Sequence, residues 1–171
     1  MDRGNLFVTA LFNKFLGIFL LSLSIQVNAN QDIQKDSQCL AENIYFEAKS
    51  ESTAGWLGIA AVTINRVISE KFPDSICGVV YQGPTLEGSN VPLKNKCQFS
   101  WYCNGVEEHI ENLELFFQII YFSKLMLGSQ GAMFDVTDGA THYHNNSVRP
   151  YWARDMTRTV RINNHTFYRK D

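Results

Sequence analysis

No two cysteines of this chain stand in a C-x-x-C pair, so the spacing expected of a structural zinc site is missing. Internal repeats and low-complexity segments are absent too, which leaves an ordinary globular chain rather than an array or a disordered one. Positive charge is not in excess: 15 Lys and Arg face 17 Asp and Glu, a formal net charge of −2. A polyanion-binding domain is usually basic, so nucleic acid is not an expected partner. The apolar run "FLGIFLLSLSIQV" falls short of the roughly 20 residues that span a bilayer.

What is present suggests one domain with a sizeable core: 171 residues, 45% hydrophobic and 19% charged. Arg3 and Lys14 flank the apolar start, and Val27-Asn28-Ala29 fits the small-x-small rule for signal peptidase. Residues 1–29 therefore read as a secretion signal, with an uncleaved signal anchor or a buried helix as the alternatives. Export to the periplasm or the exterior is expected, with membrane contact only if the segment is retained. The exported protein should begin at Asn30 when its N-terminus is sequenced. Membrane-bound protein that keeps residues 1–29 would establish the anchor instead. Cleavage removes Asp2, Arg3 and Lys14, leaving 13 basic and 16 acidic residues and a charge of −3. Late basic residues (Arg149, Arg154, Arg158, Arg161, Arg169 and Lys170) read as a solvated face, or alternatively as a groove for an acidic polymer.

Four cysteines follow the signal: Cys39, Cys77, Cys97 and Cys103. An even number in an exported chain suggests two disulfides. Three pairings are possible, and Cys39–Cys103 with Cys77–Cys97 is the one expected here.

Residues 30–37 read as a loose polar leader and residues 38–171 as the functional domain. A first helix is expected over about Gln38 to Lys49. Ser52 or Thr53 can cap a second, "AGWLGIAAVTINRVISEKF", with Leu57, Ala61, Ile64 and Ile68 as its apolar stripe. Gly55 and Gly58 cost helix stability, so they mark close approach. "CGVVYQ" reads as a short buried turn or helix, and "GPTLEGSNVPLKNK" as a loop long enough to line a site. A third helix is expected from a capping box at Asn104 and Glu107, with Leu113, Phe117, Ile120 and Lys124 on one side and Gly128 as the stop. "ATHYHN" alternates like a strand, and "RTVRINNHTFYR" reads as a hairpin turning at Asn163-Asn164. Helices first and strands last indicate an α+β fold.

The stretch "CLAENIYFEAKSE" carries the chemistry. As a helix it puts Leu40, Ile44, Glu47 and Glu51 on one side, at spacings of four, three and four. A carboxyl beside apolar neighbours loses water, which raises its pKa and keeps it protonated near neutral pH. General-acid cleavage of a glycosidic bond needs a group in that state. Glu47 is the candidate acid, and Glu51 the auxiliary that would raise its pKa further or position a water. The competing reading is a solvated helix edge, with each Glu paired to Lys or Arg.

The segments "NIYFEAKSE", "GIAAVTINRV", "FPDSICGVVYQ", "CQFSWYCNG", "GATHYHN" and "FYR" occur in this order. Together they resemble the SleB/CwlJ family of bacterial cell-wall hydrolases, over about Cys39 to Arg169. Lys49 stands where the commoner residue is arginine, and Ser50 where it is glycine. The resemblance implies a lysozyme-like helical lobe with a small C-terminal antiparallel sheet. It implies cleavage of peptidoglycan between N-acetylmuramic acid and N-acetylglucosamine, as by a lytic transglycosylase or muramidase. Glu47 matches the catalytic glutamate of the family motif, and Glu51 its second glutamate. Sugars need flat apolar faces and hydrogen-bonding rims, and Phe99, Trp101, Tyr102, Tyr143, His144 and Asn145 are the candidates. Neither a cofactor nor a metal is implied, and a monomer is expected.

Two other classes remain in view. His142-x-His144 puts two imidazoles on one strand face, and His165 or a glutamate could complete a zinc site in a peptidoglycan amidase or peptidase. A non-catalytic wall-binding module would not need a glutamate on an apolar side.

Overall fold

The computed structural model describes residues 31–128 and 135–171. The expected signal segment lies outside the described residues. Lys35–Asp171 form one compact unit. Residues 31–34, just before it, are helical and exposed.

Helix α1 (31–48) begins earlier than expected, because the polar segment read as a loose leader is itself helical. Ser37, Leu40, Ala41, Ile44, Tyr45 and Ala48 recur at three- and four-residue spacing and are buried, so one face of α1 enters the core. α1 ends at residue 48, with Lys49 and Ser50 in a turn. Glu51 therefore does not continue the helical side that carries Glu47, contrary to the sequence expectation.

Helix α2 (Thr53–Ile68) starts after Ser52, the N-cap by backbone geometry, although the Ser52 side chain makes no cap hydrogen bond. Its buried face is Gly55, Gly58, Ile59, Val62, Thr63 and Arg66, with Ala60 and Ala61 beside it. The expected stripe was rotated away from this face: Ile68 is exposed, and Leu57 and Ile64 are only partly buried. The glycines explain the rotation. A Cβ on Gly58 would lie 2.5 Å from Phe167 Cζ, and one on Gly55 would lie 2.3 Å from Glu51 Oε2. α2 therefore turns its smallest residues toward the sheet and the α1–α2 turn.

Helix α3 (Ile76–Val80) is capped by Ser75, whose hydroxyl accepts from the Gly78 amide. Helix α4 (Leu113–Gly128) starts later than the capping box predicted. Asn112 caps it, accepting from the Leu115 amide at 3.0 Å, whereas Asn104 closes a local turn onto the Val106 amide. Its buried positions are Phe116, Ile119, Ser123 and Met126. The expected markers Leu113 and Phe117 are 60% and 64% exposed. Residues 129–134 lie outside the described set.

Three antiparallel strands follow: β1 (His142–Asn145), β2 (Thr157–Ile162) and β3 (His165–Arg169), in the order β1-β3-β2. β2 and β3 form the expected hairpin, with Asn163 in the left-handed region at φ 49°. Phe167 on β3 packs with Val62 of α2 and Ala140, which fastens the sheet to the helices. The α+β class is thus observed. The disulfides differ from the expected pairing: they are Cys39–Cys77, joining α1 to α3, and the local Cys97–Cys103. The local bridge closes around the 3-10 turn Ser100–Cys103, while α1 and α3 meet with the Cys39 and Cys77 Cα atoms 5.3 Å apart.

Candidate active site

Glu47 lines a pocket of about 280 Å³ together with Arg66, Gln98, Phe99, Ser100, Tyr143, His144, Asn145, Val148 and His165. It is the pocket's single carboxyl group. α1 supplies Glu47, α2 supplies Arg66, the segment before and within the 3-10 turn supplies Gln98 to Ser100, β1 supplies Tyr143, His144 and Asn145, β3 supplies His165, and the loop after β1 supplies Val148.

Desolvation raises the Glu47 pKa above the usual carboxylate value, against the lowering effects of the Tyr143 hydroxyl and the Arg66 guanidinium. Tyr143 Oη lies close enough to influence Glu47, yet it is buried without an aligned hydrogen-bond partner. Burial likewise pushes the Tyr143 phenol well up. Arg66 is buried and donates from Nε to the Thr141 carbonyl at 2.8 Å. Its guanidinium lies between the Phe72 and Phe99 rings, 5.2 and 5.0 Å from their centroids. Burial lowers its pKa, while Tyr143 and Glu47 raise it. One Nη of Arg66 has no hydrogen-bond partner in the protein. A protonatable acid, a cation with donor capacity to spare and a phenol thus converge on one small pocket.

Glu51 is not in this pocket. Its side chain is 5% exposed, as is that of His165, and Glu51 Oε1 lies 3.2 Å from His165 Nδ1. That approach is close in distance but not aligned as a hydrogen bond, since His165 Nδ1 has no partner by geometry. The Asn164 amide donates to Glu51 Oε1 at 3.3 Å, and Asn163 Nδ2 donates to Ser52 Oγ at 2.8 Å. Glu51 thus ties the α1–α2 turn to the β2–β3 hairpin. His165 in turn meets the Tyr143 ring edge-on, with centroids 5.1 Å apart.

The predicted aromatic residues separate. Phe99 and Tyr143 line the Glu47 pocket with His144 and Asn145. Trp101 and Tyr102 do not; they line a second pocket, of about 410 Å³. His144 stacks on Tyr168, and its Nε2 lies 3.0 Å from the Tyr168 hydroxyl.

The zinc reading fails on strand geometry. His142 and His144 share the β1 face paired with Tyr168 and Thr166, whereas His165 lies opposite Asn145, on the Tyr143 face. Among the described residues no group of three His, Cys, Asp or Glu side chains could hold a metal. Burial lowers the His142 pKa to about 4, so it is neutral at pH 7.

Sequence reading missed Arg66. Its signal was a basic residue in phase with Ile59 and Val62 on an otherwise apolar helix face, within "GIAAVTINRV". It also missed the partnership of His165 with Glu51, because 114 positions of chain separate the two and no local pattern links them.

A cell wall hydrolase family model matches residues 50–168. Spore cortex-lytic enzymes are similar over a short stretch: that of Oceanobacillus iheyensis is 41% identical over 49 residues, 29% of this chain and 18% of that protein. The one from Bacillus subtilis is 43% identical over 47 residues, 28% of this chain and 15% of that protein. These alignments span less than a fifth of the curated relatives' length. Two solved structures share the fold. The catalytic domain of Bacillus cereus SleB superposes with a TM-score of 0.56 at 24% identity, covering 80% of this chain and 91% of that one. The catalytic domain of the germination-specific lytic transglycosylase SleB from Bacillus anthracis gives the same score and identity, covering 78% and 93%. With its lysozyme-like helices and three-stranded sheet, the chain belongs to the SleB/CwlJ-type cell wall hydrolase family.

Proposed function

We propose that this protein cleaves the glycan strand of peptidoglycan between N-acetylmuramic acid and N-acetylglucosamine, with Glu47 as the single general acid and base. The observation that carries this reading is the lone carboxyl of the pocket, held above its usual pKa by burial. The family match begins at residue 50, so the assignment of Glu47 rests on this geometry and on the "EAKSE" motif.

Protonated Glu47 gives its proton to the bridging glycosidic oxygen as the bond to the muramic acid C1 breaks. The carboxylate then takes the proton of the muramic acid 6-hydroxyl, whose oxygen closes on C1. This yields the 1,6-anhydro ring of a lytic transglycosylase and returns Glu47 to its acid form. A hydrolase of the inverting type would need a second carboxylate several ångströms away to activate water. Glu51 is packed behind His165 and does not line the pocket, which favours the one-acid route. Glu51 serves as a positioning residue, acting through His165 on Tyr143. The unpartnered Arg66 Nη can stabilise oxygen charge that develops as the bond breaks.

The protein works outside the cytoplasm as a monomer on peptidoglycan, in wall remodelling or in phage lysis. The two disulfides favour an oxidising compartment. Digestion of purified sacculi is the test. Anhydro-muropeptides mean transglycosylation, reducing muramic acid ends mean hydrolysis, and intact glycan strands would overturn the reading.

The pH profile follows from the same groups. Activity should fall as pH rises through the Glu47 pKa, because the ionised carboxyl has no proton to give. Tyr143 lowers that pKa, so Tyr143→Phe should move the alkaline limb to higher pH. A limb that stays put in a kcat/KM profile would show that the Tyr143 hydroxyl does not act on the Glu47 carboxyl, and an alkaline limb that persists in Glu47→Gln would remove Glu47 as the titrating acid.

A further inference from the structure

The second pocket is built from parts that the glycan-cleaving site does not use. Phe46, Tyr81, Trp101 and Tyr102 line it with Glu42, Glu108 and His109, and no Lys or Arg does; the His109 ring faces Glu107, with Nε2 4.0 Å from its carboxylate. Its rings are held in place from behind. Trp101 stacks on Phe46 with centroids 4.7 Å apart, and its indole Nε1 donates to Asn43 Oδ1 at 3.1 Å. Asn43 is fully buried and donates onward to the Thr63 hydroxyl at 3.1 Å. The Tyr81 hydroxyl donates to Glu42, and the Tyr81 and Tyr102 rings lie 4.7 Å apart. Glu108 accepts from Asn104 on one oxygen, at 2.8 Å. The pocket adjoins the Glu47 site through the chain itself: Phe46 precedes Glu47, and Trp101 follows Ser100.

We propose that this pocket is a subsite for a primary ammonium group carried by the wall polymer. Electron-rich ring faces attract a cation that has shed part of its water, and carboxylates at the rim add charge of the right sign. An N-acetylated sugar would gain the stacking alone. Two sources carry the group: a glucosamine unit without its acetyl group, and the free amine of a peptide stem. The inference rests on the wall polymer being the substrate.

The experiment is calorimetric titration of the cleavage-deficient Glu47→Gln protein. One arm compares the glucosamine tetramer with the N-acetylglucosamine tetramer. The other compares a muramyl peptide bearing a free lysine ε-amine with its ε-acetylated form. The free-amine ligand should bind about ten-fold more tightly in at least one arm, as expected of a cation–π contact together with a partly exposed ion pair. The arm that shows the preference identifies the source.

Glu42→Gln with Glu108→Gln should abolish the preference, and Glu108→Gln alone should reduce it. Removing the same charge outside the pocket, at Glu70 and Glu87, should leave it. Equal affinities in both arms overturn the proposal, as does a preference that survives loss of both pocket carboxylates or disappears with Glu70 and Glu87. Unchanged thermal unfolding of the Glu108→Gln protein keeps that arm interpretable if the double variant folds poorly. Failure of the parent to cut sacculi would instead sink the substrate reading, and binding of the soluble ligands does not depend on that result.

Discussion

Glu47→Gln should leave the protein folded and abolish cleavage of purified sacculi. The amide keeps the size of the side chain and removes the only acid of the pocket. Loss of a general acid or base typically costs about 10²–10⁴-fold, and a residue that fills both roles belongs at or beyond the upper end. The substitution should also raise stability at neutral pH. A carboxyl with a raised folded-state pKa makes the native state hold its proton longer than the unfolded chain does. Stability is then fully present below the unfolded value and declines as pH rises through the folded one. Glutamine has no proton to lose, so the variant should unfold at a higher temperature than the parent above that window, with the difference vanishing in acid. Glu51→Gln should differ on both counts. It loosens the contact with His165 without removing the reacting proton, so activity should fall less. Folded Glu47→Gln protein with parental activity would refute the assignment.

Opening Cys39–Cys77 by a double substitution to alanine should destabilise the domain by about 4 kcal/mol, against about 2 kcal/mol for Cys97–Cys103, on the chain-entropy model. The difference comes from sequence separations of 38 and 6 residues. The longer bridge ties α1, which carries Glu47, to α3, so its loss bears on the site as well as on the unfolded chain. The shorter bridge shapes the turn that presents Phe99 to one pocket and Trp101 to the other. Denaturant melts of the two variants provide the check, and equal losses would mean that loop closure in the unfolded chain is not what these bridges act on.

Local chemistry was legible in the linear chain wherever it could complete itself within a few residues. The Asn163-Asn164 turn is one case, since one asparagine in the left-handed region reverses the strand. The desolvation of Glu47 could be anticipated because Leu40 and Ile44 lie on the same helix, within two turns. Tertiary packing decided what depended on partners far along the chain. α1 stops at residue 48, which turns Glu51 away from Glu47 and into contact with a histidine of the last strand. α2 faces the sheet with Gly55 and Gly58 because Glu51 and Phe167 fill the space that side chains there would need. That rotation buries Arg66 and carries it to the acid. The cysteine pairing followed from which elements met, since spacing along the chain is compatible with three pairings. Phe99 and Trp101 are two residues apart and of similar character, yet the turn between them sends one to the Glu47 pocket and the other to its neighbour. Side-chain type reports what a residue can bind, whereas the direction it faces is set by backbone geometry and by the volume its neighbours already occupy.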